Sequence, residues 1–351
     1  MSFIAKFFMK KYMKEAYKPK KLPKLPTISR KECFIEKTPW ISYKVSYCFA
    51  SALQMACHYY GEKWIDLGYV NFTLGWTYTW VYIKNIILGG GDPLEAMPFA
   101  APYLGLSIHY YTTNSEEAFL NAIKYFISER KPVLIELNPE IVYRGKESET
   151  REPLGFSAHA ELFIGYSGEN FYFYETAGED KYLEEGGEGI EVKAEDLARA
   201  VESVTKQMMM SWKYHLHVLE KCGEGVLRDY KPVYKRLSEL LIGSVYGGWV
   251  YLGAKALREV ASKREMLGSN VVKFWLRHAV DSRRRNSVFL REFIEEEQGE
   301  VLSELMEEAS SLYSTALKKI DERDLEGASR ILFKIAELEE RAGKIFRELA
   351  K

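Results

Sequence analysis

The sequence predicts an α+β domain with an antiparallel sheet, followed by an all-helical C-terminal domain. Three observations predict it: an apolar helix that begins beside Cys48, strand-like runs between residues 131 and 218, and helical periodicity that continues from residue 222 almost to Lys351. At 351 residues the chain exceeds what one hydrophobic core usually organises, so two domains are the natural division.

Residues 1–30 read as a basic amphipathic helix and linker. Phe3, Ile4, Phe7, Phe8 and Tyr12 share one helical face, Lys6, Lys10 and Lys14 point elsewhere, and a lysine- and proline-rich connector runs from Lys18 to Pro26. Such a helix docks on its own protein or on a subunit; contact with a membrane surface is the alternative.

Residues 31–221 mix helices and strands. Ser46 is placed to cap a helix from Tyr47 to Tyr60, in which Phe49, Ala52, Leu53 and Ala56 recur at helical spacing before Gly61 ends it. A helix near 116–129 precedes Lys131-Pro132-Val133-Leu134-Ile135-Glu136-Leu137, which reads as a buried strand. Two further runs, Ala160 to Tyr166 and Phe171 to Glu175, flank Ser167-Gly168-Glu169-Asn170, and Trp212 to Val218 alternates apolar with polar residues.

Strand signals are absent from residues 222–351. Leu302, Leu305, Met306, Ala309, Leu312, Tyr313, Ala316 and Ile320 form one apolar stripe, and Leu325, Ala328, Ile331, Leu332, Ile335, Leu338, Ala342, Ile345 and Leu349 form a second. The polar joint Glu322-Arg323-Asp324 between them predicts an antiparallel helical hairpin.

The bulk numbers narrow the function. A composition of 47% hydrophobic and 28% charged residues is that of a globular protein, and a net charge of -1 gives no overall reason to expect a nucleic-acid partner. The four cysteines, Cys33, Cys48, Cys57 and Cys222, form no CxxC pair, and no secretory apolar segment precedes them, which predicts a cytoplasmic protein. No apolar run approaches the roughly 20 residues of a spanning helix, so no transmembrane segment is expected.

Among residues able to carry chemistry, Cys48 stands first because it lies in the first turn of an apolar helix. The unpaired N–H groups and positive dipole end there favour the thiolate, the attacking form of the residue. A lone cysteine is as readily a small buried hydrophobe. A second signal is Ser157-Ala158-His159-Ala160-Glu161-Leu162-Phe163-Ile164-Gly165-Tyr166, with a histidine opening a core strand. Each of its ring nitrogens needs a polar partner, which a thiolate and a carboxylate would supply. A hairpin pivoting on Ser167, with Gly168 at positive φ, would set His159 opposite Glu175. Glu161, two residues along on the same face, is the rival carboxylate.

The order of a helix-initiating cysteine, Lys-Pro-Val-Leu-Ile, His-x-x-x-x-Ile-Gly-Tyr and an acidic residue closing the next strand resembles the papain-like cysteine peptidase superfamily. Within it the chain is similar to double-glycine leader peptidases and to the acyltransferase group of butirosin-biosynthesis protein H. The helical part, including Arg283-Arg284-Arg285-Asn286 and Phe289-Leu290, resembles the region that follows the catalytic domain in that group. The resemblance implies a papain-like domain over residues 31–221 and a helical domain over 222–351. It also implies Cys48 as nucleophile, His159 as general base and Glu175 as orienter, where Asp followed by Pro is more usual and this chain has Glu175-Thr176. Leader peptidases place Gln six residues before the nucleophile, where this chain has Ser42; the departure leads away from the peptidase branch. It leaves the Cys48 N–H, with Tyr47 or Ser46, to hold an oxyanion.

The activity implied is amide-forming acyl transfer through a Cys48 acyl-enzyme. The partners would be a small-molecule or peptide acyl donor, including a carrier-protein thioester, and an amine acceptor. A cysteine peptidase or amidase is the alternative, as is a non-catalytic binding protein that keeps the fold. No cofactor and no metal are expected. Cys57 and His58 diverge on their helix, and His215 and His217 share a strand face but show no third ligand. Gly89-Gly90-Gly91-Asp92-Pro93 lacks the Lys-Ser/Thr of a phosphate loop, and Met208-Met209-Met210 reads as core packing.

Overall fold

A computed structural model describes residues 19–43, 47–83, 86–90, 93–143, 158–178, 181–183, 187, 189–208, 210–295 and 297–351. The amphipathic helix expected over residues 2–15, the capping role of Ser46 and part of the 208–210 methionine run lie outside them. The architecture is α+β, with sheets and a C-terminal helical stretch. No helix among the described residues is long and apolar enough to cross a membrane.

The chain divides into two compact units, Met1–Leu67 with Ala100–Val226, and Gly68–Phe99 with Leu227–Lys351. The expected boundary near residue 222 therefore holds only on one side. Residues 68–99, read as part of the first domain, belong with the C-terminal segment.

The first unit is organised by an eight-stranded sheet. From one edge its strands are Lys20–Lys21, Leu106–Thr113, Tyr214–Lys221, Val133–Leu137, His159–Ser167, Asn170–Tyr174 and Ile190–Lys193, with Glu32–Phe34 also paired to His159–Ser167. Every pairing is antiparallel except the first. The strand Val133–Leu137 is buried along its whole length, and His159–Ser167 all but its last residue. Strands buried on both faces need apolar residues on both, so these segments read as continuous runs rather than alternations. The helix Glu116–Ser128 starts at Ser115, whose hydroxyl accepts from the Ala118 N–H at 3.1 Å, with Glu116 and Glu117 in the first turn.

The second unit is not all-helical, contrary to the sequence expectation. Val245–Tyr246 and Val250–Leu252 form a hairpin through Gly247 and Gly248, both at positive φ, and Val250–Leu252 also pairs with Val81–Ile83, which pairs with Ile86–Leu88. This four-stranded sheet is what draws residues 68–99 into the unit. The helical hairpin forms as read: Glu297–Asp321 and Leu325–Leu349 pack together, and the Asp324 side chain caps the second helix by accepting from the Gly327 N–H at 2.8 Å.

A buried ion pair braces the second unit. Arg283, in the helix Asn270–Phe293, holds Glu339 Oε1 at 2.7 Å through a terminal nitrogen and at 2.8 Å through Nε. Tyr313 donates to the same carboxylate oxygen at 2.8 Å, Trp80 Nε1 donates to Tyr313 at 2.8 Å, and Arg283 donates to the Thr77 carbonyl. Removing one buried partner strands the other charge, at a cost of about 3–5 kcal/mol. Arg283→Met should lower stability by that amount in denaturant unfolding, and adding Glu339→Leu should recover most of it. A loss under about 1 kcal/mol for the single change would contradict the brace.

Candidate active site

Cys48 is the first residue of the helix Cys48–Tyr59, and Tyr47 occupies the N-cap position with no side-chain cap. The first-turn amides therefore have no intrahelical acceptor and no acidic side chain beside them. The helix is fixed to the segment before it: the Ser51 hydroxyl donates to the Ile41 carbonyl, and Tyr43 donates to Gln54 Oε1 at 2.6 Å. That segment also clasps the chain after the sheet. Trp40 Nε1 donates to the Glu175 carbonyl at 2.8 Å, Trp40 stacks on Tyr174, and Gly178 N–H donates to the Tyr43 carbonyl at 3.0 Å.

His159 opens the strand paired with Val133–Leu137, directly opposite Leu137. Cys48 lies close enough to the ring for its thiol to help raise the ring's pKa. The other contacts gather on Nε2: Glu175 Oε1 at 2.8 Å, Glu161 Oε1 at 3.2 Å and Thr176 Oγ1 at 3.2 Å. The Thr176 hydroxyl gives its own hydrogen to the Ala160 carbonyl at 2.6 Å, so all three neighbours accept. Three acceptors around one nitrogen require that nitrogen to carry the proton.

The register differs from the expected one. Near the turn Ser167 pairs with Asn170, and Gly168 has φ of 60°. A bulge then shifts the ladder between Phe163 and Gly165, so that Phe163 pairs with Phe173 and Leu162 with Tyr174. Carried one residue further, this register sets Glu175 opposite Glu161, not opposite His159. Glu175 still reaches His159 because the two are diagonal neighbours on one face. Gly165 allows the close packing beside the bulge: a Cβ there would stand 2.3 Å from the Phe34 ring.

Both sequence candidates for the carboxylate thus converge on one nitrogen. Sequence reasoning missed what supports them. The Glu161 oxygens are held by the Tyr143 hydroxyl at 2.7 Å and the Thr176 N–H at 3.1 Å, and Glu175 Oε1 accepts from the Ala177 N–H at 2.9 Å. A proline at 176 would have no hydrogen to give Glu161. Tyr143 is delivered by the short helix Pro139–Val142, which Asn138 caps by accepting from the Glu140 N–H at 3.0 Å. Of the proposed oxyanion donors, Tyr47 is buried with its ring edge-on to Tyr43 and Ser46 lies outside the described residues; Ser42, at the position where leader peptidases carry Gln, is buried in the strand Trp40–Ser42.

The electrostatics follow from burial and crowding. Burial alone would push the His159 imidazolium down, but Glu161, Cys48 and Glu175 outweigh it and hold the ring well above its ordinary range. Burial, then the charge of Glu175, pushes Glu161 well up, against the pull of His159 and Tyr143. Burial also acts to raise Glu175, yet hydrogen bonds and charge from His159, with help from Tyr143 and the Ala177 N–H, leave it lowered. Two carboxylates whose environments drive them apart divide the work: Glu175 carries the charge that faces the imidazolium.

A group raised in the fold stabilises below its unfolded value and loses that contribution as pH rises through its native value. For His159 the unfolded value is about 6.5, so its ion pairs act fully below that point. Glu175, lowered in the fold, contributes above its ordinary 4.5 and loses that contribution as acid protonates it. The stability difference between the protein and Glu175→Gln, from denaturant unfolding, should therefore peak between these values, near pH 6, and shrink on both sides. A difference that stays flat with pH would remove the charge coupling.

No family model matches this chain, and no curated protein matches it.

Proposed function

We propose that the protein is a papain-like cysteine-dependent acyltransferase working through a Cys48 acyl-enzyme. The observation that carries this reading is that His159 meets Glu175 at 2.8 Å through Nε2 and lies close enough to Cys48 for its thiol to help raise the ring's pKa. A nucleophile, a base and a group that orients the base are the parts that covalent acyl chemistry requires.

In the first step the Cys48 proton resides on His159 and the thiolate sulfur attacks the carbonyl carbon of a thioester or amide. A C–S bond forms and the carbonyl electrons move to oxygen. Collapse of that adduct breaks the bond to the leaving thiol or amine, which takes the proton from His159. An incoming amine then attacks the Cys48 thioester, His159 takes the amine proton, and Cys48 leaves as thiolate. First-turn amides at the helix start are the donors nearest the developing oxyanion. Water in place of the amine makes the same machinery a hydrolase. Ser42 at the position where leader peptidases carry Gln favours the transferase. Glu175 orients the imidazolium, and Glu161 with Tyr143 holds Glu175 and His159 in position.

A second reading is a binding protein with the same fold, and one observation favours it: Cys48 is only 7% exposed. Intact-mass measurement separates the two. Incubation with short acyl thioesters should add one acyl group to the protein, absent in Cys48→Ser, and a primary amine should then discharge it as an amide. No adduct with any acyl thioester would favour the binding protein, and discharge to water alone would favour the hydrolase.

A further inference from the structure

The sheet that presents His159 on one face carries a second polar cluster on the other. His217 pairs with Leu134, and the same register carried two residues along sets His215 opposite Glu136. Glu136 pairs with Ala160, between the Leu137–His159 and Ile135–Glu161 pairs, so its side chain and those of His215 and His217 point away from His159. All three are buried, with relative exposures of 4%, 2% and 0%.

Their donor atoms lie within 4.8 Å of one another. His215 Nε2 and Glu136 Oε2 stand 3.3 Å apart, yet neither atom has a hydrogen-bond partner among the described residues. A dry carboxylate oxygen facing a dry imidazole nitrogen is costly, and native interiors satisfy such atoms. Their spacing fits a shared ion: donors about 2.0–2.1 Å from a tetrahedral Zn2+ sit roughly 3.3–3.4 Å from each other. Two imidazoles and a carboxylate are also the donor set that first-row divalent ions prefer.

We propose that Glu136, His215 and His217 bind one divalent first-row transition ion, of which Zn2+ is the type, on the face of the sheet opposite His159. Tyr110 stacks on His217 at 4.4 Å between ring centroids and Trp212 meets Tyr110 edge-on, which walls the cluster with aromatics. In so closed a place the ion's role is structural. It ties the strand Val133–Leu137, which pairs with the His159 strand, to Tyr214–Lys221.

The test uses the full chain stripped with a chelator and titrated with Zn2+ in competition with a chromogenic chelator. One ion per chain and a raised unfolding midpoint are expected. Glu136→Gln, close to isosteric, should weaken Zn2+ by more than the roughly 100-fold that loss of an outer-shell partner can cost. His159→Ala should leave binding unchanged. Absence of binding to the parent chain would overturn the site, as would unchanged affinity in Glu136→Gln. Loss in His159→Ala would also overturn it, by moving the ion to the His159, Glu161 and Glu175 group. If Glu136→Gln fails to fold, Co2+ in the parent chain decides. Visible bands of a four-coordinate nitrogen and oxygen site support the proposal, and no bands, or thiolate charge transfer from a cysteine, contradict it.

Discussion

Ile164 is one residue more than the ladder with Asn170–Tyr174 can pair, and the face that Glu175 occupies depends on it. Had the register at the turn continued, Glu175 would fall opposite Leu162 and point away from His159. The bulge moves the ladder by one residue, and because side chains alternate with period two, that single step returns Glu175 to the histidine face. It also brings Glu175 opposite Glu161. Two carboxylates directly across a ladder repel, and here the His159 imidazolium between them offsets the repulsion. Tyr143 and the Thr176 N–H complete the set by satisfying the Glu161 oxygens.

The same economy of buried charge recurs elsewhere. Strands covered on both faces leave little room for water, so each polar group inside needs a fixed partner. His159 meets this need with two carboxylates. Arg283 meets it with Glu339, Tyr313 and the Thr77 carbonyl, binding the 68–99 segment to the C-terminal helices of its unit. His215 and Glu136 face one another without a hydrogen bond, and an ion would complete them. The acyl chemistry proposed for Cys48 therefore sits on a sheet whose geometry is set from both sides.

Much of this was legible in the sequence where the signal is local. The apolar spacing from Phe49 to Ala56 marks the cysteine helix, Val133 to Leu137 reads as a buried strand, and the two C-terminal stripes give the helical hairpin. Register is different, because a bulge at Ile164 leaves no mark in composition and changes only what lies across the ladder. Glu136 was hidden inside an apolar run, and only the pairing of separate strands reveals it as a neighbour of His215. Tyr143 has no local pattern at all, and the value of Thr176 lies in a backbone N–H that any residue but proline supplies. The membership of residues 68–99 in the second unit depends on pairing with Val250–Leu252, far along the chain. The hairpin there turns on Gly247-Gly248, and its strands are too short to stand out from the helical periodicity around them.

In the proposed mechanism His159, held charged by Glu175 and Glu161, activates Cys48. The rates of alkylation of the four cysteines by iodoacetamide near pH 7, read by peptide mass mapping, test it most directly. Cys33 and Cys57 are buried, and burial pushes the Cys57 thiol up. Cys48 should be modified first despite its own low exposure, and His159→Ala should slow it while the fold persists. Equal rates at all four thiols, or labelling of Cys48 indifferent to His159, would contradict it.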